Sequence, residues 1–179
     1  AYATYLDTSA IDAKGLAPIQ PWLDQIKGVK AKSGLAALYA QADRNGVRHL
    51  FGSFVGQDDK NPEVYALNLG QGGLGMPDRD YYLSKDAKLA ETKAAYEKHL
   101  ANVLTLAGEP NAQARAAAIV ALETQIAQAS WTRTESRDAD KTYNKMSVAE
   151  LAKLAPGSDW KAALAAAGVG NKLDYIIVN

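Results

Sequence analysis

Gly70-Gln71-Gly72-Gly73-Leu74-Gly75-Met76-Pro77-Asp78-Arg79-Asp80-Tyr81-Tyr82-Leu83 decides how the rest of this chain is read. Its glycines follow a largely apolar run that reads as a short strand and precede a charged, aromatic block, so the backbone must turn sharply between two kinds of structure. Gly70, Gly72 and Gly75 also satisfy the spacing G-x-G-x-x-G. A dinucleotide-binding turn, however, opens a helix and leads to a second parallel strand with an acidic residue about 20 positions on. Here Met76-Pro77 interrupts, and the segments that follow are helical in pattern. The glycines are therefore read as positions that permit positive φ where the chain leaves a hairpin.

The hairpin lies just upstream. Leu50–Val55 and Glu63–Leu69 read as two strands, separated by the turn-rich Gln57-Asp58-Asp59-Lys60-Asn61-Pro62, which predicts a long loop. Elsewhere the apolar period is helical. Leu16, Ile19, Leu23 and Ile26 share a face that Gly28 closes, with Pro18 and Pro21 suited to a first turn. Leu35, Leu38 and Tyr39 mark a helix ending at Asn45-Gly46, a favourable left-handed cap. Downstream, Leu89, Tyr96, Leu100, Val103 and Leu104 mark a long helix that stops at Gly108-Glu109-Pro110, and Ile119, Leu122 and Ile126 mark the next. A short polar link makes these two antiparallel neighbours. Asn111 is a candidate N-cap, Ser147 with Glu150 forms a capping box, and Ser158 or Asp159 starts a last Ala-rich helix that ends at Gly168. The terminal run Leu173–Val178 reads as a strand in need of a partner. The fold class is thus mainly α, a multi-helix domain with one small β-hairpin, and residues 1–179 form one domain.

Composition narrows the function. The formal net charge is +0, which offers no electrostatic footprint for nucleic acid or an anionic membrane. No apolar run approaches the roughly 20 residues that span a bilayer, and no secretory signal opens the chain. Cysteine is absent, excluding disulfides and thiolate chemistry without fixing the compartment. Both ends read as cut: Ala1-Tyr2-Ala3-Thr4 reads as entering a helix already under way, and Val178-Asn179 stops without a turn.

Candidate chemistry is sparse. Asp78, Arg79 and Asp80 place two carboxylates around one guanidinium, a pattern read as an ion-pair and capping cluster at the start of a Tyr81-Tyr82 helix because no nucleophile or metal motif accompanies it. Asp58-Asp59 and Asp86 lack calcium-loop spacing and read as solvated loop carboxylates. The two histidines, His49 and His99, have no partner at ligand spacing, so both are read as structural or surface residues; neither a catalytic nor a metal residue is assigned. A second polar block, Ser130-Trp131-Thr132-Arg133 through Arg137-Asp138 and Tyr143-Asn144-Lys145-Met146, combines arginine with aromatic anchors. That suits either a surface facing another domain or a loop tied to its own.

Taken in order, Asp7-Thr8-Ser9-Ala10-Ile11-Asp12, Phe54-Val55-Gly56-Gln57-Asp58-Asp59-Lys60, the glycine block, and Arg137-Asp138 with Tyr143-Asn144-Lys145-Met146 closely resemble the non-catalytic helical domain of the neprilysin and endothelin-converting-enzyme zinc metallopeptidases. The resemblance implies a lid-like domain over a zinc domain, gating peptide substrates, with zinc and the catalytic residues in a part of the parent enzyme absent here. Such a fragment alone would be inactive and would need no cofactor. It also implies a bacterial, exported parent, periplasmic or secreted, since the animal members are disulfide-bonded glycoproteins and this chain has neither cysteine nor an Asn-x-Ser/Thr site. The implied partners are the catalytic zinc domain of the same chain and peptides. Gly73, Gly75, Pro77, Asp78, Arg79, Asp80, Tyr81, Arg137, Asp138, Tyr143 and Asn144 are the candidate signature or interdomain residues. The alternative from another class is a free-standing helical interaction domain.

Overall fold

The computed structural model describes residues 2–170 and 172–179. Among them the chain is mainly helical with one small mixed sheet. It opens with α1 (Tyr2–Leu6), α2 (Thr8–Lys14) and α3 (Gln20–Gly28), followed by α4 (Leu35–Arg44). Asp7 caps α2 through the Ala10 amide at 3.0 Å, and Gly46 closes α4 at φ 66°. The apolar face expected over Leu16–Ile26 is split by a 3-10 turn at Ala17–Ile19 and remains largely uncovered, with Ile19 50% and Ile26 44% exposed.

Strands β1 (Phe51–Asp58) and β2 (Asn61–Gln71) form the expected hairpin, with a correction to its tip. Both strands run further than their apolar cores, leaving only Asp59-Lys60 as a turn instead of a long loop. The reason is Asp58, whose Oδ1 accepts the Lys60 amide at 2.9 Å and so fixes a tight side-chain turn. A register shift between Gln57 and Asp58 absorbs the change of pairing.

Helix α5 (Asp80–Leu83) leads into the long α6 (Ala87–Leu106) and α7 (Ala112–Ala129). These two are antiparallel neighbours, as the pairs Lys93–Thr124 and Tyr96–Glu123 require. Asp86, read as a loop carboxylate, caps α6 through the amides of Lys88 and Leu89. Asn111 does not cap α7 with its side chain; it sits at φ 54°, using the tolerance of asparagine for left-handed backbone in a tight link. The Ser147–Glu150 capping box opens α8 (Val148–Leu154) as expected, and Asp159 caps α9 (Trp160–Ala166).

Two further short strands enlarge the hairpin into a sheet. The segment Asn144–Met146, read as part of a polar block, is β3, and Ile176–Val178 is β4. The order is β1-β2-β4-β3, with β4 parallel to β2 and antiparallel to β3. The terminal strand thus finds its partners within this chain. Leu67 and Leu69 of β2, Ile176 of β4, Leu151 of α8, and Trp160 and Leu164 of α9 make one core, while Met76, Tyr82 and Ala127 make a second beneath the helical pair. The glycine run passes between them.

Candidate functional site

The glycine run forms one wall of an open cleft of about 990 Å³. Its other walls are the His49–Ser53 entry to β1, the Ile119–Ile126 face of α7, and Ser130–Ser136. The run follows this path because each glycine meets a different constraint. Gly73 has φ 81° and lies against Leu50 and Ile126. Gly72 has no such backbone demand, yet a Cβ there would stand 3.0 Å from the His49 carbonyl oxygen. At Gly75 a Cβ would fall 1.9 Å from the Tyr96 hydroxyl. The expectation of positive φ therefore holds at Gly73, whereas Gly72 and Gly75 are needed for close approach.

Behind Gly75 lies a carboxylate that sequence reasoning missed. Glu123 of α7 accepts the Gly75 amide at 3.1 Å, the Tyr82 hydroxyl at 2.9 Å and the Tyr96 hydroxyl at 3.1 Å. Tyr82 in turn accepts the Met76 amide at 3.0 Å. Burial, reinforced by Glu123, pushes the Tyr82 phenol far above its ordinary value and that of Tyr96 up to about 12. The available signal was Glu123 itself, the one acidic residue of the Ala-rich helix α7.

The Asp-Arg-Asp block does not form the triplet ion pair expected from its sequence. Asp78 pairs with Arg133 from the second polar block and accepts the Asp80 amide at 2.9 Å. Arg79 forms no ion pair with a described carboxylate, although it lies between two aspartates. Successive residues in a turn point apart, and the long-range Arg133 captures the first carboxylate. Pro77 lines the cleft beside them, and Tyr81 packs on the Met76–Tyr82 core. Gln71 clasps the opposite side, accepting the Trp131 amide at 2.8 Å and donating to the Trp131 carbonyl at 3.3 Å.

His49 is the other residue whose placement sequence could not give. Its ring stacks on Tyr39 at 4.8 Å, and Nε2–H donates to Asp43 at 2.8 Å; Asp43 also accepts the Ser53 hydroxyl at 2.5 Å. The serine reaches the carboxylate and not the imidazole, so this is no hydrolytic triad. His99 is exposed on α6. The two histidines do not converge, and no group of three or more His, Asp or Glu side chains among the described residues could hold a metal ion. This part of the chain does not fit a zinc site.

The remaining signature residues lie away from the cleft. Asp58, read as a solvated loop carboxylate, is fully buried. It accepts the Tyr175 hydroxyl at 2.6 Å and the Tyr143 hydroxyl at 2.8 Å, with Lys145 at 3.6 Å. The Tyr175 hydrogen bond, with those of Lys60 and Tyr143, outweighs burial and holds this carboxyl well below the usual range; the Tyr175 phenol is pushed up to about 12 by the same bond. Asn144 donates to the Val178 carbonyl at 3.0 Å and lines a smaller depression of about 380 Å³ beside Trp131. Asp138 accepts the amides of Asp140 and Lys141 at 3.1 and 3.3 Å. Arg137, in a 3-10 turn, is exposed and carries no ion pair among the described residues.

Comparison with known proteins agrees with this architecture. The chain is 32% identical to the zinc metalloprotease ZMP1 of Mycobacterium tuberculosis, whose crystal structure with an inhibitor superposes with TM-score 0.89 over 99% of this chain and 27% of that one. It is 28% identical to human endothelin-converting enzyme-like 1 over 89% of this chain and 22% of the relative. Drosophila melanogaster neprilysin-3 is 31% identical over 62% of this chain and 14% of its own length. The chain thus spans about a quarter or less of the proteins it resembles. The family model described as Peptidase family M13 matches residues 1–179, and the chain belongs to that family, that of neprilysin and the endothelin-converting enzymes, as part of its N-terminal domain.

Proposed function

We propose that this chain is part of the substrate-gating domain of an exported bacterial zinc metalloendopeptidase, with the zinc-bearing catalytic domain elsewhere in the same protein. The observation that carries the reading is the use to which the signature residues are put. The glycine block, Asp78 and Arg133 are spent on shaping and bracing the walls of an open cleft, and the described residues contain no convergent set for hydrolysis. Such an arrangement suits a wall that admits peptides and leaves the chemistry to another domain. Structures of the related ZMP1 in an open state and a partial open state, matched with TM-scores of 0.88 and 0.76, support a role for this fold in a protein that opens.

Arg137 is the proposed interdomain contact, because among the described residues it has no ion-pair partner, while Asp138 is tied to its own loop, Tyr143 to Asp58 and Asn144 to the Val178 carbonyl. Losing one member of a partly desolvated interface pair costs about 2–5 kcal/mol, against about 0–1 kcal/mol for an exposed pair. In the full-length protein, Arg137→Ala is expected to alter peptide turnover with zinc content retained, while the melting temperature of the 179-residue chain barely moves. A destabilised chain with unchanged peptide kinetics would reassign Arg137 to internal packing. Cleavage of a stably folded protein as readily as of its unfolded peptides would sink the gating reading.

A further inference from the structure

The cap of α4 carries a chemistry that its role in ending the helix does not use. Asn45-Gly46 is the one Asn-Gly pair in the sequence, and both residues are exposed. An asparagine side-chain carbonyl lies within reach of the next main-chain nitrogen, and attack by that nitrogen closes a five-membered ring. A side chain on the following residue hinders the approach; glycine has none. Nothing lies within 4 Å of where a Cβ of Gly46 would stand, so that flank of the site is open.

Each other described asparagine inside the chain is held back. Asn61 precedes Pro62, whose nitrogen carries no hydrogen to lose. Asn68 is buried in β2, and Asn102 stands within α6 before the β-branched Val103. Asn144 is tied through Nδ2 to the Lys141 and Val178 carbonyls. Asn111 precedes an alanine in the first turn of α7.

The α4 cap sets the rate at Asn45. Its ψ of 2° turns the Gly46 nitrogen away from the Asn45 side chain. Ring closure needs rotation about that bond, which breaks the hydrogen bonds of Gly46 N–H to the Asp43 carbonyl at 3.1 Å and of Val47 N–H to the Ala42 carbonyl at 2.9 Å. Both belong to a helix end, where opening free energies start near zero. The heavier restraint is the His49 hydrogen bond to the Asp43 carboxylate at 2.8 Å, which closes the chain across Asn45-Gly46.

We infer that Asn45 is a site of spontaneous deamidation and that its isoaspartate product loosens the Asp43–His49 clamp in the cleft wall. The Gly46 nitrogen, losing its proton to hydroxide, bonds to Asn45 Cγ; the Cγ–Nδ2 bond breaks, and ammonia leaves with a proton from water. Water then opens the ring at either carbonyl. Opening at Cγ gives aspartate. Opening at the main-chain carbonyl gives isoaspartate, whose main chain runs through Cβ and Cγ and is longer by one carbon. That carbon falls between the two residues that the clamp must bring together. The new carboxylate also stands at the negative end of α4. In the adjoining cleft Asp43, Asp78 and Glu123 balance Arg48, Arg79 and Arg133, and the modification tips that balance to negative.

The test incubates the full-length protein in mildly alkaline buffer beside Asn45→Gln, whose longer side chain must close a slower six-membered ring. Peptide mapping by mass spectrometry, with fragmentation that separates isoaspartate from aspartate, is expected to show deamidation at position 45 before any other asparagine of residues 1–179. Isoaspartate should be in excess, and the rate should rise with hydroxide concentration. Hydrogen exchange should then show the Val47 amide losing protection in the aged wild type and not in Asn45→Gln. Asp43→Asn, which removes the charge from the clamp's acceptor, should speed the modification severalfold. Deamidation of Asn45 no faster than that of Asn111, or only after unfolding in urea, overturns the inference. Deamidation that leaves Val47 protected, or an unchanged rate in Asp43→Asn, overturns the part assigned to the clamp.

Discussion

Gly75→Ala tests the reasoning about the signature run most directly. Gly75 is exposed by surface area, so a survey of burial would rate the change as harmless. Its φ is not in the left-handed region, and the substitution would ordinarily stabilise by about 0.4–1 kcal/mol through the unfolded chain. The structure requires the opposite. A methyl group there would sit 1.9 Å from Tyr96 Oη, 2.7 Å from Tyr96 Cζ and 3.1 Å from Glu123 Oε1. Tyr96 is carried by α6 and cannot retreat without giving up its 3.1 Å hydrogen bond to Glu123. Losing a bond to a charged acceptor costs about 1.5–3 kcal/mol, and overpacking adds about 1–3 kcal/mol. Less the unfolded-state gain, the net destabilisation is about 3 kcal/mol. With a urea m-value of about 2 kcal/mol/M, the midpoint should fall by about 1.5 M. The double variant Gly75→Ala/Tyr96→Leu removes both clashing atoms, so its cost should be smaller than the sum of the two single changes by about 1 kcal/mol or more. Additive costs, or a Gly75→Ala protein as stable as wild type, would refute the account of why glycine stands at this position.

Three further expectations concern the anchors. Asp58 has a depressed folded-state pKa, so its stabilising contribution is complete above the unfolded carboxylate range near pH 4 and is lost as pH falls through the folded value; Asp58→Asn should be destabilised at pH 7, and the gap from wild type should shrink below about pH 4 in acid unfolding curves. Tyr82, Tyr96 and Tyr175 have raised pKa values, so their contribution is present below about pH 10 and lost at higher pH; in an ultraviolet titration these three should ionise above the range of free tyrosine, and Glu123→Gln should advance Tyr82 and Tyr96 but not Tyr175. Ser147→Ala breaks the capping box of α8 and should cost about 1 kcal/mol in urea unfolding, with Ser147→Asp close to neutral.

The sequence by itself determined the local elements and the family. Apolar spacing of three and four residues marks α6 and α7, the Ser147–Glu150 pair marks the start of α8, and the shift to a short apolar period marks β1 and β2, because each of these signals lies within a few residues of the structure it specifies. The glycine block was legible as a sharp turn for the same reason. Only the tertiary structure decided what the polar residues do. Asp58 looks like a loop carboxylate until Tyr143 and Tyr175 arrive from 85 and 117 residues away. Asp78 looks paired to its neighbour until Arg133 comes from 55 residues away. Gly75 owes its identity to a tyrosine and a glutamate on two later helices, and β4 exists as a strand because β2 and β3 lie on either side of it. Hydrogen bonds and ion pairs act over a few ångströms of space, whereas residue patterns record only separation along the chain. A carboxylate's partner is therefore fixed by how the elements pack, after each element has been specified locally.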